Sequence, residues 1–143
     1  MNKEMLLRPQ WETETNWLNN NILKKDFGSK KFLYVYLWSI SCSHCKEVLP
    51  EVLNLYKKNI QKSQLLYIHI PMSEKDLDNE EIQKVANELG INEPVLLDND
   101  HKWISMFESE VIPSFYVYDE NENLIRSKIG ILNIKNYVKS LLL

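Results

Sequence analysis

Along the chain, apolar positions fall into blocks that are either continuous or spaced every three to four residues. Phe32-Leu-Tyr-Val-Tyr-Leu-Trp38 is a near-continuous apolar, aromatic and β-branched run, which predicts a strand covered on both faces in a parallel or mixed sheet. After it Cys45, Val48, Leu49, Val52, Leu53, Tyr56 and Ile60 recur at helical spacing, with Lys46, Glu47, Glu51, Asn54, Lys57 and Lys58 on the opposite face. Gln64 to Ile70 predicts a second strand, ended by Pro71. Strand, crossover helix and strand make a right-handed unit with the strands parallel.

The remaining blocks are shorter. Residues 1–29 form a polar lead-in anchored by Trp11, Trp17, Leu18, Ile22 and Leu23, with Trp17 and Leu18 capping an open edge of the core, and a turn at Phe27 to Lys31 precedes the first central strand. Ser73 to Asn79 reads as a charged loop. Asp78 or Asn79 caps a helix through about Leu89, Gly90 stops it, and the acidic residues of both pieces form a solvated face. Val95-Leu96-Leu97 is a short strand. Asp98-Asn99-Asp100 is capping chemistry for a helix with Trp103, Ile104, Met106 and Phe107 inward. Ser114 to Tyr118 and Leu124 to Ile129 predict an antiparallel hairpin, and residues 131–143 a closing helix with Ile134, Tyr137, Val138 and Leu141 buried.

Composition narrows the class. With 143 residues and 44% hydrophobic positions, one core suffices, and one domain is expected over residues 1–143. A net charge of −3 with interspersed signs gives no footprint for nucleic acid or an anionic membrane. No apolar run approaches the roughly 18 residues of a membrane span, and the first residues hold no apolar stretch suited to a secretory signal. The expected location is cytoplasmic, or extracytoplasmic if a signal or anchor lies outside these residues.

Both cysteines, Cys42 and Cys45, sit where the first central strand turns into the helix. Unpaired N–H groups and the macrodipole at a helix start favour a thiolate on Cys42, and Cys45 one turn on is placed to bridge it reversibly. An imidazolium or ring N–H from His44 would tune the thiolate further; a solvent-facing loop histidine is the plainer reading. Pro50 removes the bond to the Lys46 carbonyl and should kink the helix. The same spacing also admits half of a zinc site, with His44, His69 and His101 as the available partners, a structural disulfide closing a short loop, or two inert thiols. His69 within its strand reads as a satisfied structural histidine, and the 98–100 carboxylates as caps before cation ligands.

Trp38-x3-Cys42-x2-Cys45-Lys46-x4-Pro50, followed by Val111-Ile112-Pro113-Ser114-Phe115, resembles the thioredoxin-like thiol–disulfide oxidoreductases. The piece with Pro94-Val-Leu-Leu-Asp98 is similar to the insertion of the TlpA-type branch. Trp17-Leu-Asn19, Ile68-His69, Pro94-Val95 and Ile112-Pro113 in order resemble the thioredoxin-like domain found with NHL repeats. The resemblance implies an α/β thioredoxin-like fold: a central mixed sheet flanked by helices, with a TlpA- or peroxiredoxin-type insertion between the βαβ unit and a C-terminal ββα unit. It also implies a cis bond before Pro113, facing the cysteines. Two departures stand out. Tyr36 occupies the place of the buried Asp of plain thioredoxins. Val48, beside Glu47, stands where many TlpA-type proteins have Glu, so no acid is identified for proton transfer to the resolving thiol.

The expected activity is exchange between a Cys42–Cys45 dithiol and protein disulfides, in the reducing direction, with no metal or organic cofactor. Trp38, Ser41, His44, Ile112 and Pro113 are expected around the contact surface, and a partner reductase or small thiol as electron donor to a monomer. Two alternatives are a thiol peroxidase, against which Val35 and Ser39 replace the Pro and Thr of the peroxiredoxin pattern, and a thioredoxin-fold binding module without turnover.

Overall fold

The computed structural model describes residues 11, 14, 16–19, 30–107 and 109–142; Ile22, Leu23 and the start of the turn at Phe27 lie outside them. Side chains of the first central strand alternate between two apolar layers, which is why almost every position in it is apolar. Leu33, Val35 and Leu37 join one buried cluster, and Tyr34, Tyr36 and Trp38 the other.

The elements are β1 (Trp17–Leu18), β2 (Phe32–Trp38), α1 (Ser43–Lys58), β3 (Ser63–His69), α2 (Asn79–Glu88), β4 (Val95–Leu97), β5 (Ser114–Asp119), β6 (Leu124–Ile129) and α3 (Ile131–Leu142). They build one six-stranded sheet in the order β1-β4-β3-β2-β5-β6. β2 runs parallel to β3, and β3 to β4, while β5 is antiparallel to β2 and β6 to β5. The two-residue β1 pairs antiparallel with β4, Trp17 opposite Leu96, so Trp17 and Leu18 close the sheet edge. Asn19 fastens that edge by donating to the carbonyls of Ile91 and Glu93, each at 3.2 Å.

All three α-helices contribute to the layer beneath Tyr34, Tyr36 and Trp38, through Val48, Leu49 and Val52 of α1, Ile82 and Ala86 of α2, and Ile134 and Val138 of α3. The opposite layer is closed by Trp11, Trp103, Ile104 and Phe107. Trp11 meets Trp103 and Tyr118 edge-on at centroid distances of 6.2 and 6.1 Å. Burying each Leu, Ile, Val or Phe on these faces contributes about 1.5–3 kcal/mol.

Several boundaries differ from the sequence pattern. α1 ends at Lys58, so Ile60 lies beyond it and is exposed, and Leu55, not predicted, is buried in its place. The helix predicted after Asp98 is only a 3-10 turn, Ile104–Met106. The Asp98 carboxylate caps this turn as expected, accepting the N–H groups of Trp103 and Ile104 at 2.9–3.1 Å, but the chain is already extended at Phe107. In α3, Ile134 and Val138 are buried as expected, but Tyr137 is only half-buried and Leu141 is exposed. Asp78 caps α2 as predicted, accepting from the N–H groups of Glu80 and Glu81, and Gly90 follows with φ of 78°.

Candidate active site

The carboxyl ends of β2 and β3 meet the start of α1, the place where open α/β sheets set their sites. Cys42 is the N-cap of α1, and its sulfur accepts the N–H of Cys45 at 3.1 Å. The two cysteines form a disulfide with Cα atoms 5.2 Å apart. Their exposure differs: 8% for Cys42 against 1% for Cys45. The Tyr36 hydroxyl reaches up from β2 and donates to the Cys45 carbonyl at 2.6 Å. Tyr36 thus fills the space of the missing buried acid with a neutral group, and burial pushes its phenol far above the ordinary tyrosine range. α1 continues through Pro50. His44 is exposed on the first turn.

Ahead of Cys42 the turn is held from below. Cys42 N–H donates to the Ser39 carbonyl at 3.1 Å, and Ser41 N–H to the Ser39 hydroxyl at 3.2 Å. Two side chains, one at the end of β3 and one beyond it, complete the support. Nε2 of His69 accepts the Ile40 N–H at 3.2 Å, so the ring is neutral with its proton on Nδ1. That Nδ1 is buried with no hydrogen-bond partner among the described residues. Burial holds the His69 pKa down to about 4, with nearby Asp76 opposing the shift. His69 is structural as expected, but half-satisfied.

Asp76 is the functional-site residue that the sequence pattern missed. The sequence pattern puts it on a solvated face, whereas the structure places it at 0% exposure, inside the 3-10 turn Glu74–Leu77. Its carboxylate accepts the Ser41 hydroxyl at 2.6 Å, the Met72 N–H at 2.9 Å and the Ser39 hydroxyl at 3.4 Å. Burial works to raise its pKa, but the hydrogen bonds from Ser41, Met72 and Ser39 and the His69 ring bring it below the ordinary value. Nothing in the local pattern around Lys75-Asp76-Leu77 marks this acid. Its one signal is position, just past the end of the strand beside the cysteine-bearing one.

The second signature arrives through β5. The Ile112–Pro113 peptide is cis, and the pairing of Leu37 with Ser114 sets Pro113 one step further, next to the end of β2. The Pro113 carbonyl is taken by the Gly130 N–H at 2.9 Å, whereas Ile112 makes none of the described backbone hydrogen bonds. A cavity of about 510 Å³ lies beside this loop, lined by Ile70, Pro71, Met72, His101, Ile104, Glu110 and Ile112.

One expected contact residue is corrected. Trp38 is 1% exposed, with its ring edge-on to His69 and Tyr67 at 5.3 and 6.5 Å. It points into the layer under α1, so it supports the floor and offers a visitor no surface. Ser41 and His44 are exposed, Ile112 half-buried and Pro113 buried. Of the histidines considered for a metal, His69 is engaged with Ile40 and His101 lies 2.8 Å from the Pro71 carbonyl. Among the described residues no group of three metal-ligating side chains occurs. Glu47, next to the position of the expected acid, pairs with Lys135 at 2.6 Å on an exposed face.

Comparison with known proteins agrees with this geometry. A family model described as thioredoxin-like matches residues 28–124. Thiol-disulfide oxidoreductase YkuV of Bacillus subtilis strain 168 is 34% identical over 122 residues, covering 85% of this chain and 82% of the relative. Thioredoxin-like protein SkfH of the same organism is 26% identical over 128 residues, covering 90% and 89%. A solution structure of a thioredoxin-like protein in the oxidized form superposes with a TM-score of 0.81 at 30% identity, over 99% of this chain and 97% of that one. The crystal structure of StoA from Bacillus subtilis superposes with a TM-score of 0.62 at 17% identity, over 76% and 81%, a likeness of fold.

Proposed function

The chain belongs to the thioredoxin-like family, and from that premise we propose that it is a thiol–disulfide oxidoreductase acting on protein disulfides in the reducing direction. In the dithiol form the Cys42 thiolate attacks a substrate disulfide and forms a mixed disulfide. Cys45, after losing its proton, then attacks the Cys42 sulfur, which releases the substrate thiol and leaves the Cys42–Cys45 disulfide. Two electrons pass to the substrate, and a reductase or small thiol returns them to the chain.

The observation that carries this reading is the unequal placement of two bonded sulfurs at one helix start. Cys42, the more exposed, receives the Cys45 N–H and lies at the positive end of the helix dipole, both of which favour its thiolate. Cys45 is enclosed, so it reaches only a sulfur already attached to Cys42. Ile112 and the cis-proline loop offer backbone to an extended substrate, which can add to the site as a short strand. Ser41 and His44 border the approach.

Insulin-disulfide reduction tests the activity. The chain should catalyse it with dithiothreitol as electron source, and Cys42→Ser should abolish it; equal rates for the two would overturn the proposal. The direction is read from the reduction potential of the couple. A value near the thioredoxin range, about −270 mV, supports a reductase, whereas one near −120 mV marks an oxidant.

A further inference from the structure

The turn that delivers Cys42 is fastened to a carboxylate that the exchange steps above do not use. Ser39, where the turn begins, and Asp76 and His69, which bond to it, are all at 0% exposure. Asp76 gathers two hydroxyls and one amide from that region, and the shortest of these bonds, 2.6 Å, comes from Ser41, the residue immediately before Cys42. Hydrogen bonds rather than a cation satisfy it: the ion pairs among the described residues do not include Asp76. Its charge is therefore left to act on its neighbours, and it also faces a cavity of about 460 Å³ beside the turn, lined by Ile40, Ser41, Lys46, Lys75, Asp78 and Glu81 among others.

We propose that Asp76 is a positioning residue of the redox centre, which fixes the Ser39–Cys42 turn through its hydrogen bonds and restrains the acidity of Cys42 through its fixed negative charge. This rests on the reading of Cys42 as the attacking sulfur. Two influences meet at that sulfur. The start of α1 and the Cys45 N–H stabilise its thiolate, while a buried carboxylate bonded to the preceding residue, Ser41, destabilises it. A less stable thiolate favours the disulfide form of the couple, which suits a donor of electrons. The other charged or titratable groups around Cys42 are His44 and Lys46 on α1, Lys75 and Asp78 on the adjoining loop, Glu81 on α2, and neutral His69 beneath. Asp76 differs from the charged groups among these in being wholly enclosed and bonded to the turn.

The test is the pH dependence of iodoacetamide alkylation of the fully reduced chain, with the modified cysteine located by mass spectrometry. In Asp76→Asn the charge is gone while an oxygen remains to accept the Ser41 hydroxyl. The alkylation midpoint should fall, and the rate below it should rise about threefold. Ser41→Ala leaves the charge and removes the hydroxyl that partly neutralises it, so the midpoint should rise and the rate should drop about twofold. Opposite signs are the signature, because simple loosening of the turn moves both variants the same way. Shifts of like sign, or no shift in Asp76→Asn, would overturn the proposal. If Asp76→Asn does not fold, Ser41→Ala decides alone: a slower rate supports the proposal, and an unchanged or faster one refutes it. Alkylation at Cys45 instead of Cys42 would overturn the underlying reading, and the proposal with it.

Discussion

The two halves of the site are held by opposite means. Downstream of Cys42 the support is local: the sulfur caps its own helix, the next cysteine lies one turn on, and Tyr36 on the adjoining strand adds a bond to the Cys45 carbonyl. Upstream the support is remote, since Ser39, Ile40 and Ser41 depend on His69 and Asp76, brought under the turn only by the parallel pairing of β2 with β3. The first half carries the reacting sulfurs, and the second holds the turn that presents them. Damage to the first should appear as lost exchange, and damage to the second mainly as lost stability.

The largest effect separates the halves at once. Cys42→Ser should lower disulfide-reduction rates about a thousandfold or more, with the melting temperature of the reduced protein nearly unchanged; a variant that keeps a tenth of the activity would blur the division.

The remote half should show itself next, in acid. His69 has a folded pKa near 4 against an ordinary 6.5. Between those values the unfolded chain binds a proton that the folded chain refuses, so stability falls as pH drops from 6.5 and levels off below about 4, a loss on the order of 3 kcal/mol. Asp76, whose folded pKa is depressed, adds its own loss only below its ordinary value of 3.8. Denaturant titrations at pH 7 and pH 4.5 should therefore differ, and His69→Gln, which keeps an acceptor for Ile40 but cannot titrate there, should flatten the difference. An unaltered acid slope would place its origin elsewhere.

Smaller losses follow. Asp76→Ala strands the Met72 N–H and both serine hydroxyls, at a cost of about 2 kcal/mol by urea unfolding at neutral pH, whereas Tyr36→Phe removes one hydrogen bond and should cost about 1 kcal/mol. A reversed order would mean that the local half bears more of the fold than its contacts indicate. Smallest of all, Glu47→Gln should leave both exchange rate and melting temperature unchanged, because its ion pair with Lys135 is solvent-exposed and outside both halves.

This asymmetry also explains what could be read from residues alone. Phe32 to Trp38, the helix that begins at Ser43 and the cysteine pair are visible because each is written in neighbouring positions or a short motif, whereas the cis bond before Pro113 follows only from the family resemblance of the segment around it. Asp76 was hidden because a lone acid between Lys75 and Leu77 is indistinguishable from solvated charge until the sheet brings Ser39 and Ser41 to it. Trp38 was misplaced for a related reason. Its position before the motif suggested a rim, but strand alternation turns its ring inward onto Tyr67 and His69. The turn at Ile104 keeps the Asp98 cap legible in the sequence but stops at Met106, because Phe107 is already extended.

The central claim is that one of two sulfurs at the head of α1 attacks and the other resolves. The direct measurement is capture of a mixed disulfide with a reduced single-cysteine variant and an activated disulfide attached to a peptide, followed by mass mapping. Cys45→Ser should form a long-lived adduct at Cys42, and Cys42→Ser should form almost none. Equal capture by both variants, or preferential capture at Cys45, would contradict the account.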